Sequence, residues 1–461
     1  MWRAAYIRSW QKPLAPDEMT QSIVVLILVA CPAWAAWQAA AASVDITPKE
    51  SIWLAGYAAR TQPSQSVRLP IHAKALALKD DVGAVSVIVT LDIVGIRREM
   101  TDEIASRAGK ELGVPRERIL FNVSHTHSAP LVGDSSSYTE AMGRYAEAQK
   151  PVLSRYTAAL PNLIYEAIKK SVANLQSSTI QFEQGYAGFA VNRRRVGHRE
   201  YPGPVDHDVP VLAIRNSEGR VIAILFGYAC HNTVMGDYSI HGDYAGYSQT
   251  YLEQRFPGAI ALFVQGAGAD ANPLPRGKPE HLERYGATLA DAVEQVINGK
   301  MKPLSGSIRA VMELQDVAFE GPFSRSRWEQ ESASPNSRMA THGRRMLTLL
   351  ESKGSVPETR PYTVQAWQFA DGLTLIALAG ELTVDYALKF KSRYGANTTW
   401  IAGYSNDVFG YIPSLRVWKE GGFEGGEAFL FSGFPGRFTP DIEDRITTAV
   451  ERVVSRVRQT P

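Results

Sequence analysis

Cysteine is scarce. The 461 residues contain two, Cys31 and Cys230, which excludes a disulfide framework and any cysteine-rich zinc module. Net charge is nearly absent as well. Lys and Arg together number 49 against 47 for Asp and Glu, a balance of +2, so neither nucleic acid nor an anionic surface is indicated as a partner. The main apolar run, Ile23 to Cys31, is too short to span a bilayer comfortably. There is no internal repeat, and no linker splits the remainder. What is present is ordinary globular composition, 45% hydrophobic and 21% charged, at a length that suits one large domain or a few smaller ones.

Residues 1–42 read as a targeting segment. Arg3, Arg8 and Lys12 precede the apolar run, and alanine-rich sequence follows it. Met19 is an alternative start that would remove those basic residues. Two processing readings compete. Ala33-Trp34-Ala35, or the Ala39 to Ala42 run, suits ordinary signal peptidase. Leu28-Val29-Ala30-Cys31 resembles a bacterial lipobox, in which case Cys31 would carry lipid and tie the protein to a membrane surface. Either way the expectation is export, to the periplasm or beyond, with residues 43–461 as the functional domain.

Within that domain, hydrophobic periodicity predicts an α/β fold: a single large domain with a mixed β-sheet core flanked by helices and a site at strand ends. Ile71 to Leu78 alternates as a strand does, and Ala84 to Val94 is a β-branched run suited to a buried strand ending near Asp92. That aspartate is either a satisfied structural acid or a partner of the site. Arg98 to Leu112 and Val152 to Leu175 read as helices. Val209 to Arg215 and Val221 to Ala229 are strands joined by the turn Asn216 to Gly219. Asp243 is placed to cap a helix running to Arg255. Further strands are expected at Pro257 to Val264, Ile308 to Phe319, Tyr362 to Phe369, Leu373 to Ala379 and Thr399 to Ala402, and helices at Glu280 to Ile297, around Met339 to Leu350, up to Arg393 and at Pro440 to Arg456. The polar stretch 321–360 reads as a lid or an excursion.

The chemistry concentrates where these strands end. Ile119-Leu120-Phe121 leads into Asn122-Val123-Ser124-His125-Thr126-His127-Ser128-Ala129-Pro130. In an extended backbone, i and i+2 point the same way, so His125 and His127 would address one site. A second strand emerges at Cys230-His231-Asn232, and a third at Gly380-Glu381. Imidazoles and a carboxylate delivered from strand ends form a catalytic zinc set with positions left for water and substrate. Between them lies a glycine-rich loop, Gln265-Gly266-Ala267-Gly268-Ala269-Asp270-Ala271-Asn272-Pro273. It lacks the Gly-Lys-Ser/Thr ending of a phosphate loop and reads as an oxyanion nest or a tight structural turn. Any one arginine of Arg193-Arg194-Arg195 offers a rigid donor fork for a substrate oxygen, although such runs usually form a solvated patch.

These pieces together resemble the catalytic domain of the neutral (alkaline, non-lysosomal) ceramidases over residues 44 to 435. The pieces are Gly56-Tyr57-Ala58, His125 to Pro130, Asn192-Arg193, Tyr228 to Met235, Gly242-Asp243, Gln265 to Pro273, Gly380-Glu381 and Gly410 to Gly425. The resemblance implies a single zinc ion on His125, His231, Glu381 and Tyr411. It implies proton transfer by His127, substrate contact by Arg193, and catalytic roles in the glycine-rich loop at Asp270 and Asn272. Two positions depart from the family. Asn272 stands where the ceramidases carry the serine of Gly-Asp-Val-Ser-Pro, and Phe423 replaces the tyrosine of Tyr-Glu-Gly. The C-terminal immunoglobulin-like domain of the ceramidases is also not expected, since the chain ends soon after its last helix. The expected activity is therefore zinc-dependent hydrolysis of a linear amide in an N-acylated small molecule or lipid, with ceramide itself disfavoured. A zinc esterase or lactonase acting on a sugar-derived substrate, and a non-catalytic exported binding protein, are the competing readings. Nitrogen and oxygen ligands alone leave the identity of the divalent ion open.

Overall fold

The computed structural model describes residues 37–133, 142–195, 202–370 and 372–459. The targeting segment with Cys31, most of the Gly/Ser loop after Val132, and Asp371 lie outside the described residues. Residues Ala35–Pro461 form one compact unit.

The polypeptide begins the larger sheet with β1 (Gln38–Asp45), β2 (His72–Lys79), β3 (Val85–Leu91) and β4 (Ile119–Val123), and continues it with β5 (Gln176–Tyr186), β6 (Asp208–Asn216), β7 (Val221–Tyr228), β8 (Ile260–Gln265) and β9 (Lys302–Leu304). Spatial order is β8-β7-β6-β5-β1-β2-β3-β4, with β9 added to β5. The outer pairs β7/β8 and β3/β4 are parallel, and the neighbours between them are antiparallel. A second sheet follows, β10 (Ile308–Ala318), β11 (Thr359–Phe369), β12 (Leu373–Leu378) and β13 (Thr399–Ala402), in the order of the chain, with its last pair parallel. The alanine-rich stretch Gln38–Asp45 is thus an interior strand, paired residue for residue with β2 from Gln38↔Lys79 to Asp45↔His72.

Alternation along each strand sorts side chains between two faces, because successive residues of a strand point opposite ways. Ala73, Ala75 and Ala77 of β2 and Val87, Val89 and Leu91 of β3 pack with Ile104 of α1 (Arg98–Leu112) and Leu160 and Ile164 of α2 (Ala146–Ala173). Their strand neighbours Leu76, Leu78 and Ile88 face the other way. There they meet Trp367 and Phe369 of β11, Leu375 of β12 and Trp400 of β13. The other half of the large sheet is covered by α3 (Asp243–Arg255) and α4 (Pro279–Asn298). The outer face of the second sheet is covered by α7 (Asp385–Tyr394) and α8 (Ile442–Arg458), once α5 (Arg325–Ser332) and α6 (Ser337–Lys353) are counted in the excursion between β10 and β11. The molecule is a helix–sheet–sheet–helix sandwich. Sequence periodicity predicts most of the strands and the flanking helices, but not β1 or β9. The division into two stacked sheets is settled by the tryptophans, whose large apolar faces fill the space between them at about 1.5–3 kcal/mol for each fully buried large side chain.

Candidate metal centre and active site

The parallel strands supply the site, as expected at the carboxyl ends of strands in an α/β sheet. β4 ends at Val123 and delivers His125 and His127. β7 ends at Tyr228 and delivers His231. β12 ends at Leu378 and delivers Glu381. The extended geometry that sequence reasoning assigns to His125 is not what brings the two histidines together. His125 adopts φ 59°, left-handed for a residue with a Cβ. Its N–H donates to the Ile93 carbonyl, which holds that conformation. The convergence is nonetheless achieved, with His127 Nε2 3.1 Å from His125 Nε2.

Glu381 Oε2 lies 3.2 Å from His125 Nε2 and 3.4 Å from His231 Nε2. Tyr411 Oη lies 3.5 Å from His231 Nε2. Ligand atoms held tetrahedrally about 2.0–2.1 Å from one cation stand about 3.4 Å apart, so this spacing fits a shared ion. The tautomers agree. His125 Nδ1 faces the Val94 carbonyl at 2.5 Å, and His231 Nδ1 faces the Gly268 carbonyl at 2.9 Å. A carbonyl oxygen only accepts, so each Nδ1 carries the hydrogen and each Nε2 presents a lone pair. Glu381 Oε2 is consequently within ion-pair distance of both imidazoles while receiving no hydrogen bond. Lone pairs of buried groups converging without a proton between them are satisfied by a cation.

His125, His127 and His231 also form a compact group, with donor atoms within 4.8 Å of one another, that can hold a metal ion. The three are not equivalent. The Nδ1 atoms of His125 and His231 are tied to carbonyls, the arrangement typical of ligating histidines, whereas buried His127 Nδ1 has no hydrogen-bond partner. Its ring instead meets Tyr57 edge-on, centroids 4.9 Å apart. Gly56 makes this packing feasible: at φ 89° a Cβ there would stand 2.3 Å from His127 Cγ.

Electrostatics favour neutral rings at His127 and His231 and an ionised carboxylate at Glu381. Burial, followed by the Arg193 charge, pulls His231 down to about 4. Burial and the neighbouring His125 and His231 hold His127 well below its ordinary value. Burial opposes ionisation of Glu381, and positive charge at the position of His125 and His231 outweighs it and holds the carboxyl well below the usual range. Tyr411 is pushed up, first by burial and then by the Glu381 charge.

A polar frame surrounds the cluster. Arg193 Nη2 donates to Tyr411 Oη at 3.1 Å, and its Nε donates to Glu424 Oε1 at 2.6 Å. The other oxygen of Glu424 accepts from Arg194 Nη1 at 2.7 Å. The arginine run is therefore an ion-pair network, joined at Glu420 by Arg194 and Arg195, and Arg193 alone of the three bonds Tyr411. Asp270 does not touch the histidines. It accepts from Val384 N–H at 2.8 Å and Asn192 Nδ2 at 3.0 Å, and its carbonyl accepts from Arg193 N–H at 2.7 Å. Burial pushes Asp270 up to about 6. Asn272, on the short strand Ala271–Pro273 paired with Ala190–Asn192, accepts from Thr233 Oγ1 at 3.4 Å through its amide oxygen. The glycine-rich loop is a close-approach turn: a Cβ on Gly268 would stand 2.5 Å from Cys230 N, so glycine alone lets its carbonyl reach His231. Asp92 is a satisfied structural acid, accepting from His72 N–H and Gln249 Nε2. Asp243 accepts from Val234, Met235 and Tyr244 N–H groups.

Two features of the site carry no signal in hydrophobic periodicity or at strand ends. Glu424 stands between Glu420 and Glu427 in a glycine-rich stretch, and only the resemblance of Phe423-Glu424-Gly425 to the family's Tyr-Glu-Gly singles it out. Tyr404 is a fully buried aromatic against His125, centroids 4.7 Å apart, and nothing in its neighbours distinguishes it from core.

The profile of the family described as neutral/alkaline non-lysosomal ceramidase, N-terminal, matches residues 37–273. A comparison with curated proteins finds no match. Among solved structures, the neutral ceramidase from Pseudomonas aeruginosa is similar at TM-score 0.72 and 17% identity, over 92% of this chain and 75% of that one. A structure described as ceramidase complexed with C2 is similar at TM-score 0.70 and 16% identity, over 92% and 77%. At such identities the structural likeness speaks for the fold. The profile, which spans just over half of the chain, speaks for descent, and by it the chain belongs to the neutral/alkaline non-lysosomal ceramidase family of hydrolases.

Proposed function

We propose that the protein is an exported zinc-dependent hydrolase that cleaves the amide of an N-acyl compound. The observation that carries this reading is the convergence of His125 Nε2, His231 Nε2 and Glu381 Oε2 with both Nδ1 hydrogens committed to carbonyls. His125, His231, Glu381 and Tyr411 would hold the ion. When bound, zinc supplies a Lewis acid for the scissile carbonyl and lowers the pKa of water.

The protein's own groups do the rest. His127, whose Nδ1 is not tied to an acceptor, is suited to take the proton of the attacking water at Nε2 and to return it to the leaving nitrogen. Arg193 donates to the Tyr411 oxygen and so fixes it beside His231 Nε2, where it would serve as the fourth ligand atom for the ion. Thr233 Oγ1 donates to the amide oxygen of Asn272, which leaves the NH2 group as the side of the amide that can donate. An amide cannot act as the nucleophile, so Asn272 serves as a donor to the oxyanion. Asp270 positions Arg193 and the turn after Glu381 and does not act on substrate.

The acyl reading is favoured over a sugar-derived substrate by the surface beside the centre. Tyr411 packs against Phe423, and Phe423 against Phe431, centroids 5.2 and 5.8 Å apart. Both phenylalanines remain 40% exposed, an apolar surface beside Tyr411 on which an acyl chain can lie.

Export rests on the basic–apolar–alanine segment of residues 1–36. Processing upstream of Trp37, at Ala35 or before a lipidated Cys31, would keep β1 whole, whereas cleavage within Ala39 to Ala42 would remove half of an interior strand. A panel of N-acyl, ester and lactone substrates, assayed with and without chelator, tests the proposal. Chelator-sensitive amide cleavage is expected. Asn272→Ala should lower turnover by about 100- to 1000-fold while zinc content is unchanged. No hydrolysis by the zinc-loaded protein would favour the binding-protein reading.

A further inference from the structure

Tyr404 is held without the help of its hydroxyl. Its backbone N–H donates to the Gly380 carbonyl, and its carbonyl accepts from Val123 N–H. These are the two segments that deliver Glu381 and His125. The neighbouring turn is fixed in the same way, Ser405 N–H to Leu378 and Asn406 N–H to Phe121. Tyr404 itself sits at φ 49°, a conformation disfavoured for a residue with a Cβ. Its ring lies against His125 at 4.7 Å and His231 at 6.2 Å. The residue is fully buried, and its hydroxyl has no hydrogen-bond partner. Glu381 and Tyr411 are, after burial itself, the groups that act on that hydroxyl most strongly.

A tyrosine that only filled the core would serve as well without its oxygen, because a buried hydroxyl with no partner is destabilising. Here the strain, the burial and the orphan hydroxyl coincide at the cation cluster, and Glu381 Oε2 is likewise without a donor. We infer that the Tyr404 hydroxyl is a further site donor, reserved for an oxygen atom of the guest in the cation site: a water, or the carbonyl of the acyl substrate. The inference rests on the hydrolase reading above. It makes Tyr404 a partner of the reaction from beneath the histidines, opposite in kind to Tyr411, whose hydroxyl is already engaged by Arg193.

The test compares Tyr404→Phe with Tyr411→Phe. In metal-stripped protein, the urea midpoint of Tyr404→Phe should equal or exceed that of wild type, while Tyr411→Phe, which strips Arg193 of a partner, should lie below it. In zinc-loaded protein, Tyr404→Phe should lower kcat about 100-fold with KM and zinc content unchanged. A metal-stripped Tyr404→Phe as weakened as Tyr411→Phe means that the hydroxyl has a protein partner and overturns the inference, as does an unchanged kcat. If wild type cleaves no substrate, the hydrolase reading fails separately. The decision on Tyr404 then comes from the rise in Tm on adding zinc: a smaller rise in Tyr404→Phe than in wild type supports the inference, and an equal rise rejects it.

Discussion

Replacing Glu424 by alanine tests whether the frame around the centre is held by charge. Each carboxylate oxygen serves a different guanidinium, Arg193 at 2.6 Å and Arg194 at 2.7 Å, and the side chain is 6% exposed. Removing it leaves Arg193 with Tyr411 as its side-chain partner and Arg194 with Glu420 and the Gly421 carbonyl. Stranding one member of a buried pair costs about 3–5 kcal/mol. Arg193 keeps 20% of its side chain exposed, so water replaces part of the loss, and the lower figure of about 3 kcal/mol applies. For a unit spanning Ala35–Pro461, an unfolding entropy near 0.9 kcal/mol/K converts this to about 3 °C in Tm. Calorimetry on Glu424→Ala should give that shift, with Glu424→Gln between it and wild type, because glutamine retains one acceptor. The control is Arg155→Ala, which breaks a pair with Glu50 whose two side chains are each 59% exposed. That pair is worth less than about 1 kcal/mol, or about 1 °C. Turnover should fall in Glu424→Ala and not in the control, since Arg193 orients Tyr411. A Glu424→Ala shift no larger than the control would refute the reasoning.

Two further expectations follow from the site. Gly56→Ala would force a Cβ to 2.3 Å from His127 Cγ at φ 89°. Strain and overpacking of about 1–2 and 1–3 kcal/mol should lower both Tm and turnover, and an unaltered enzyme would contradict the assigned role of this glycine. Acid should weaken the metal-stripped protein through His231. Its folded value of about 4 lies below the ordinary 6.5, so the unfolded chain binds a proton first. Stability is intact above 6.5 and is lost as pH falls toward 4, by about 3 kcal/mol in all. Asp270, pushed up to about 6, works in the opposite sense over part of this range. The quantity to measure is therefore the urea midpoint of wild type relative to His231→Gln at pH 7.5 and 4.5, and a pH-independent difference would contradict the assignment.

Much of the fold is legible in the sequence because alternation and helical spacing survive locally. The helix at Arg98–Leu112 and the strand at Thr399–Ala402 have the bounds that their periodicity predicts. Gln38–Asp45 is different. Its alanines carry no β-branched signature, and they continue the composition of the targeting segment, so nothing local marks an interior strand; pairing with β2 makes it one. The candidate site is legible as residue types at strand ends, since histidines and an acid just past apolar runs are conspicuous. Its geometry is less so. The left-handed turn at His125 depends on the Ile93 and Val94 carbonyls, and the sequence shows neither. Glu424 meets Arg193 only after the chain has passed through the second sheet, a contact beyond the reach of any local pattern.

The most direct test of the account is elemental analysis of the purified protein beside His231→Ala. One equivalent of zinc per chain in the wild type, and none in a His231→Ala variant that keeps the wild-type circular dichroism, is the predicted result. A wild type that takes up no divalent metal from zinc-containing buffer, or a His231→Ala variant that retains a full equivalent, would contradict a shared cation on His125, His231 and Glu381.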